Sequence, residues 1–317
     1  MDVLTNVLAA MRLSGCVFLE AEFSAPWCVA SQLQPEDCTP YFPAPAHLIF
    51  YHYVISGSLL CQVGDQEPVE LREGQIFLIP RNERHLLGDH IDQQAISARE
   101  VAMPPVDDPL TRIIYGGGGE RTRLFCGFLG TLTPINAFLL SLPSLLVIDA
   151  KRSASGEWLA SSIRFASEQA SPDLIGRLAE LLFLEAVKHH VDQLPDDHNG
   201  WLAGLRDPHV SKALTLIHSA CAESWTTEAL AREAGLSRSA FADRFTTMIG
   251  EPPMRYLARH RMNVAANLLQ DGRQNSSNIA YAVGFNSEAA FSRAFKKEFG
   301  LPPGSWRREH APSLVSA

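Results

Sequence analysis

The last third of the chain carries one helical pattern written twice, and few folds accommodate such a repeat. The first copy runs Leu230-Ala-Arg-Glu-Ala-Gly235-Leu-Ser, then Phe241 and Phe245, then Gly250-Glu-Pro252-Pro253, and closes at Tyr256. The second runs Ile279-Ala-Tyr-Ala-Val-Gly284-Phe-Asn-Ser, then Phe291 and Phe295, then Gly300-Leu-Pro302-Pro303, and closes at Trp306. Gly235 and Gly284 lie 49 residues apart whereas Phe241 and Phe291 lie 50 apart, so one residue is inserted at the second turn. Each copy has helix-turn-helix grammar: a short helix, a glycine suited to left-handed backbone, then a helix whose Phe pair at i and i+4 shares one face. The Gly-x-Pro-Pro that follows stops the second helix, because proline cannot continue a helix and disfavours it in the preceding residue. An ordinary pair of packed helices explains one copy. Two copies with matched punctuation point to a nucleic-acid reader.

A reading helix turns its Phe pair inward and presents the opposite face to the groove. At about 100° per residue, that face holds Ser239, Asp243 and Thr246 in the first copy and Ala289, Arg293 and Lys296 in the second. Arg293 is the leading base reader, since arginine bonds two guanine edge atoms at once, worth about 1 to 3 kcal/mol of discrimination. Asp243 accepts from cytosine N4 but repels phosphate. Arg238 and Arg244 flank it as backbone-holding residues, and Ser287, Lys296, Lys297, Arg307 and Arg308 are the phosphate candidates of the second copy. The alternative for each cation is an ordinary solvated surface charge.

Charge is divided along the chain. The whole has 27 Lys plus Arg against 35 Asp plus Glu, a net charge of −8. Residues 201–317 hold 14 basic and 10 acidic residues, a net of +4, which leaves 13 and 25 for residues 1–200, a net of −12. A nucleic-acid surface belongs on the C-terminal part. The overall acidity disagrees with a nonspecific DNA-coating protein.

The length of 317 residues favours two domains. A polar run with Pro and Gly, Leu194-Pro-Asp-Asp-His-Asn-Gly200, marks the boundary. No apolar stretch reaches membrane-spanning length and the first residues show no basic, apolar leader, so the expectation is a cytoplasmic protein with no membrane association. The six cysteines, at 16, 28, 38, 61, 126 and 221, lack paired spacing and read as reduced thiols.

Residues from about 15 to 130 read as β-rich, with short apolar runs separated by Gly, Pro, Asp or Asn. Gly74, five residues, Pro80, four residues and His85 resemble the second motif of cupin barrels, and Phe50-Tyr-His52 fits the first motif in part. Metal-binding cupins carry a His-x-His and a glutamate there. Here Phe50 stands at the glutamate position and His47, five residues before His52, alternates to the opposite face. His52, His85 and Cys126 are the candidates for a zinc site, with Phe50 joining them as effector-pocket candidates. The alternative is hydrogen-bonded histidines and a buried thiol. No cofactor is required, though zinc is compatible. Gly116 to Gly119 lacks the ending of a phosphate loop and reads as a mobile connection over the pocket. Helical stretches follow near 157–170 and 172–193, the second with a broad apolar stripe through Leu174, Leu178, Leu181 and Leu182.

Residues 209–308 resemble the DNA-binding domain of the AraC/XylS family of transcription regulators. The resemblance is carried by Ala213-Leu-x-x-Ile217-His, Trp225-Thr-x-x-x-Leu230-Ala, Leu236-Ser-x-Ser-x-Phe241, Tyr256-Leu-x-x-x-Arg261-Met, Val283-Gly-Phe285 and Phe291-Ser-Arg-Ala-Phe295-Lys. It implies an α+β chain: a cupin-like antiparallel β-barrel with flanking helices over 1–194, a linker at 195–208, an all-α double helix-turn-helix domain at 209–308 and a tail at 309–317. A helix over Met254 to Leu269 would join the two units, which occupy successive major grooves. The resemblance adds Glu288 as a base contact and implies promoter DNA as partner, activation through RNA polymerase, a homodimer built on the helices after the barrel, and a small-molecule or oxidant effector. Cys16 and Cys28 are the redox candidates, since some such regulators sense oxidants through cysteines. The competing reading is a metal-dependent cupin enzyme carrying a DNA-binding appendage.

Overall fold

A computed structural model describes the chain except residues 1–2, 12, 35–36, 38–44, 92–93, 102–111, 132–136, 153, 169–171, 196–199, 271, 273 and 311–317. In chain order its elements begin with α1 (Val3–Met11), β1 (Leu13–Ser24), β2 (Cys28–Ser31), β3 (His47–Ser56), β4 (Ser58–Val63), β5 (Val69–Arg72), β6 (Gln75–Ile79), β7 (His85–Gly88), β8 (Ile96–Ser97) and α2 (Ala98–Val101). Next come β9 (Arg112–Gly116), β10 (Arg121–Thr131), α3 (Ala137–Ser141), β11 (Leu146–Asp149), α4 (Ala154–Glu168) and α5 (Pro172–Asp192). The chain ends in α6 (Trp201–Arg206), α7 (Pro208–Ser219), α8 (Thr227–Ala234), α9 (Arg238–Ile249), α10 (Pro253–Gln270), α11 (Ser276–Ala282), α12 (Glu288–Phe299) and α13 (Pro303–His310). Two compact units result, one built on the sheets and one helical.

The sheet unit holds β11-β6-β3-β10-β1-β9 in one sheet and β5-β4-β7-β2-β8 in the other. Leu48, Phe50 and Val54 of β3 join Leu59, Leu71 and Leu87 of the second sheet in one apolar core, so the sheets bury their inner faces against each other. This is the double-sheet cupin form. Two pairings depart from a purely antiparallel barrel: β9 runs parallel to β1 and β8 parallel to β2. Both are edge strands reached by crossovers rather than hairpins, and a parallel neighbour needs a crossover. The Gly-Pro-His motif spans β6, the turn and β7, passing from one sheet to the other.

The helical unit repeats its internal geometry. Ser237 and Ser287 cap α9 and α12, accepting from the amides of Ala240 and Ala290 at 3.3 and 3.2 Å. The Phe241–Phe245 and Phe291–Phe295 centroids both lie 5.6 Å apart. Tyr256 meets Phe245 edge-on at 5.7 Å, and Trp306 meets Phe295 edge-on at 5.8 Å. All four phenylalanines are fully buried.

The sequence assigned residues 1–194 to a single domain, but the structure places α1 and α3 in the helical unit. In α1, Leu4, Val7, Leu8 and Met11 are buried at helical spacing, and that stripe packs on α7 and α10. In α3, Phe138 rests on Trp201 of α6, with centroids 4.8 Å apart.

Candidate functional site

On α9, Ser239 and Asp243 are exposed. Arg238 is exposed as well and pairs with Glu228 at 2.9 Å, a surface contact worth about 0 to 1 kcal/mol that phosphate easily replaces. Arg244 differs from the phosphate-binding expectation. Its guanidinium grips the carboxylate of Asp207, with Nε at 2.9 Å. Asp207 also caps α7, accepting from the amides of His209 and Val210 at 3.0 and 2.9 Å. Burial alone would raise that carboxyl, but these hydrogen bonds hold it below its ordinary value. Arg244 therefore docks α9 onto α7. Sequence reasoning passed over Asp207, although Asp followed by Pro at the first helical position is a legible cap.

On α12, Glu288, Ala289, Arg293, Lys296 and Lys297 are all exposed, and the three cations have no hydrogen bond or ion pair among the described residues. The oxygen of Ser287 is engaged in capping. Arg307 donates to the carbonyl of Gln274 at 2.6 Å and Arg308 to Ser305 Oγ at 3.2 Å, so each is tied locally. Arg261, a motif residue without an assigned role, fastens α10 to the turn before α8: Nε donates to the carbonyl of Cys221 and an Nη to that of Glu223, both at 2.7 Å. Half-buried against α10, His218 bonds the Tyr256 hydroxyl at 2.8 Å and packs on buried His260, with ring centroids 4.1 Å apart.

A cavity of about 90 Å³, open at one side, lies between the two sheets of the sheet unit. Phe50, His52 and Cys126 line it, as expected from register: Cys126 lies directly opposite His52 across β10 and β3. His85 does not line it. That ring stands edge-on to Phe50 at 5.0 Å and to His52 at 5.7 Å, and its Nδ1 bonds the carbonyl of Glu83 at 3.0 Å. Burial pushes His85 down to about 4 and His52 well below its ordinary value, so both are neutral near pH 7. Burial pushes the Cys126 thiol up to about 12. Among the described residues no group of three or more His, Cys, Asp or Glu side chains is positioned to hold a metal ion.

Cys28 is buried. The backbone of Cys16 pairs with Leu129 in β1 and β10, while its side chain lies outside the described residues. The glycine run is hydrogen-bonded to the end of β1 and the residue after it: the amides of Gly117 and Gly119 donate to the carbonyls of Ser24 and Ala25 at 2.9 and 2.8 Å. A side chain at Gly116 would meet the Ser24 carbonyl at 1.9 Å, which explains the glycine there. No described helix is long and apolar enough to cross a membrane.

Two helix-turn-helix units behind a cupin domain define a DNA-binding transcription regulator. The family model described as "Cupin" matches residues 2–192, and that described as "Helix-turn-helix domain" matches residues 230–309. A "Putative AraC-like transcription regulator" of Streptomyces antibioticus is 31% identical over 98% of this chain and 100% of its own length. "HTH-type transcriptional regulator AlkR" of Acinetobacter baylyi is 29% identical, again over 98% of this chain and 100% of its own length. "RCS-specific HTH-type transcriptional activator RclR" of Escherichia coli is 26% identical over the same shares. The chain belongs to the AraC-like family of transcription regulators. Relatives aligned along their whole length are regulators, so the metal-dependent enzyme reading is not supported.

Proposed function

We propose that this regulator activates promoters as a homodimer in contact with RNA polymerase, reads bases chiefly through α12, and is controlled by a small molecule held in the cupin cavity. Control is carried by chain continuity. Strands β1 and β10 supply cavity walls, among them Leu19, Ala21, Cys126 and Phe128. The helix before β1 and the helix after β10 both belong to the helical unit. A ligand that favours one arrangement of these strands therefore acts on segments built into the DNA-binding part.

Dimerisation is supported by exposed Trp158 and Phe165 on α4 and exposed Leu174 and Leu181 on α5. Each pair is seven residues apart and so lies on one helix face, the kind of apolar surface a second copy covers. Activation is favoured by the relative named as an activator. An oxidant signal is the second reading, but the burial of Cys28 and the raised thiol of Cys126 favour a bound molecule.

The test is selection of bound duplexes from a random pool by the full-length protein at stated salt, with and without cell extract small molecules. A motif with two major-groove segments one helical turn apart, occurring in paired copies, is the expected result. Recovery of no motif in either condition overturns it.

A further inference from the structure

We infer that the cupin cavity takes an uncharged, mainly apolar molecule whose single hydroxyl is engaged by His52; this rests on the effector reading above and names its ligand class. The walls are hydrocarbon and aromatic, with Leu19, Phe23, Phe50, Leu87, Ile113 and Phe128 around the space. A cavity of about 90 Å³ far exceeds the roughly 10 to 15 Å³ that one water needs. Within it His52 is the polar group left over. It is 4% exposed, and neither Nδ1 nor Nε2 has a hydrogen-bond partner among the described residues. Leaving a buried polar group unmatched is unfavourable, so the ring favours an occupant that supplies a partner.

Charge chooses the partner. His52 is neutral, with burial the main cause and His85 beside it a further one, so it offers one N–H donor and one bare nitrogen. A hydroxyl accepts from the first or donates to the second, whichever tautomer is present. A carboxylate would need a cation, and the lining cation Arg99 is already paired with Asp37, both half-exposed at the mouth. Ser31 and Cys126 add only neutral groups to the walls. An ionic ligand would thus be desolvated without compensation, whereas a plain hydrocarbon would leave His52 unmatched.

The experiment is calorimetric titration of the full-length protein with octan-1-ol, octane and octanoate, three probes that differ only at one end. Octan-1-ol should bind, octanoate should bind at least tenfold more weakly, and His52→Phe should weaken octan-1-ol about tenfold while leaving octane unchanged. Ala21→Phe, which fills the cavity from β1, should abolish binding of both uncharged probes and keeps the test sharp if the His52 variant misfolds. Octanoate binding as tightly as octan-1-ol, equal octan-1-ol affinity in His52→Phe, or no binding by any probe overturns the assignment. DNA affinity measured alongside separates the two layers. Octan-1-ol binding that leaves DNA affinity unchanged upholds the ligand class and overturns effector control.

Discussion

The two helix-turn-helix copies bury the same aromatic set at the same spacing yet differ in charge at matched exposed positions. Aligned on Phe241 and Phe291, Asp243 of α9 stands where α12 has Arg293, and Thr246 and Thr247 stand where α12 has Lys296 and Lys297. Arg244, held by Asp207, stands where α12 has Ala294. The turns differ too. Gly235 ends α8 in left-handed backbone with open space where a Cβ would go, whereas a Cβ on Gly284 would lie 2.5 Å from the Ala222 carbonyl. The duplicated scaffold thus differs in its cations: Arg244 of the first copy is held by Asp207, whereas Arg293, Lys296 and Lys297 of the second have no hydrogen bond or ion pair among the described residues and are exposed.

If the scaffold is truly shared, Phe241→Ala and Phe291→Ala should each destabilise the helical unit by about 3 to 5 kcal/mol, and equal losses by urea titration would establish the equivalence. A loss below about 1 kcal/mol in one copy breaks it. The turns should separate next. Gly235→Ala should cost about 1 to 2 kcal/mol for the positive φ alone, whereas Gly284→Ala should cost more, because a backbone carbonyl stands in the way; equal melting shifts would contradict this.

Base reading should follow α12. Arg293→Ala should remove about 1 to 3 kcal/mol of discrimination at one base pair with no change in melting temperature, while Asp243→Ala should leave base preference nearly intact. Binding assays against single-substitution duplexes decide between them. The anchor in α9 should be a smaller, structural effect. Arg244→Ala should cost on the order of 1 kcal/mol of stability and shrink the acid step. Asp207 is held below its ordinary value of 3.8, so the anchor is fully present above that pH and is lost as pH falls through the lower folded value. Smallest of all, Lys297→Ala should weaken every duplex alike and flatten the slope of log affinity against log salt by about 0.9. A change in sequence preference would instead make Lys297 a base reader.

Much of this was legible because helix punctuation is local. The Phe pairs, the glycine stops and the exposed Arg293 follow from spacing, and β3's alternation puts Phe50 and His52 on one face without reference to the rest of the chain. Other features needed partners distant in sequence. Arg244 reads as a free cation until Asp207 is brought to it from 37 residues away. His85 reads as a pocket residue until its ring is found behind Phe50 and His52. Gly116 reads as part of a loose loop until the Ser24 carbonyl of β1 is seen to leave no room for a side chain there.

The sequence by itself determined the double helix-turn-helix and the division of charge between the chain's two parts, because each is written in short-range periodicity and composition, and its motifs carried the resemblance to the family. Tertiary structure decided that α1 and α3 group with the helical unit, that Arg244 is an anchor, and that His52 faces a cavity without a hydrogen-bond partner among the described residues. Those outcomes depend on which surfaces meet. A buried stripe or a charged side chain states what it needs, and only the fold states what answers it.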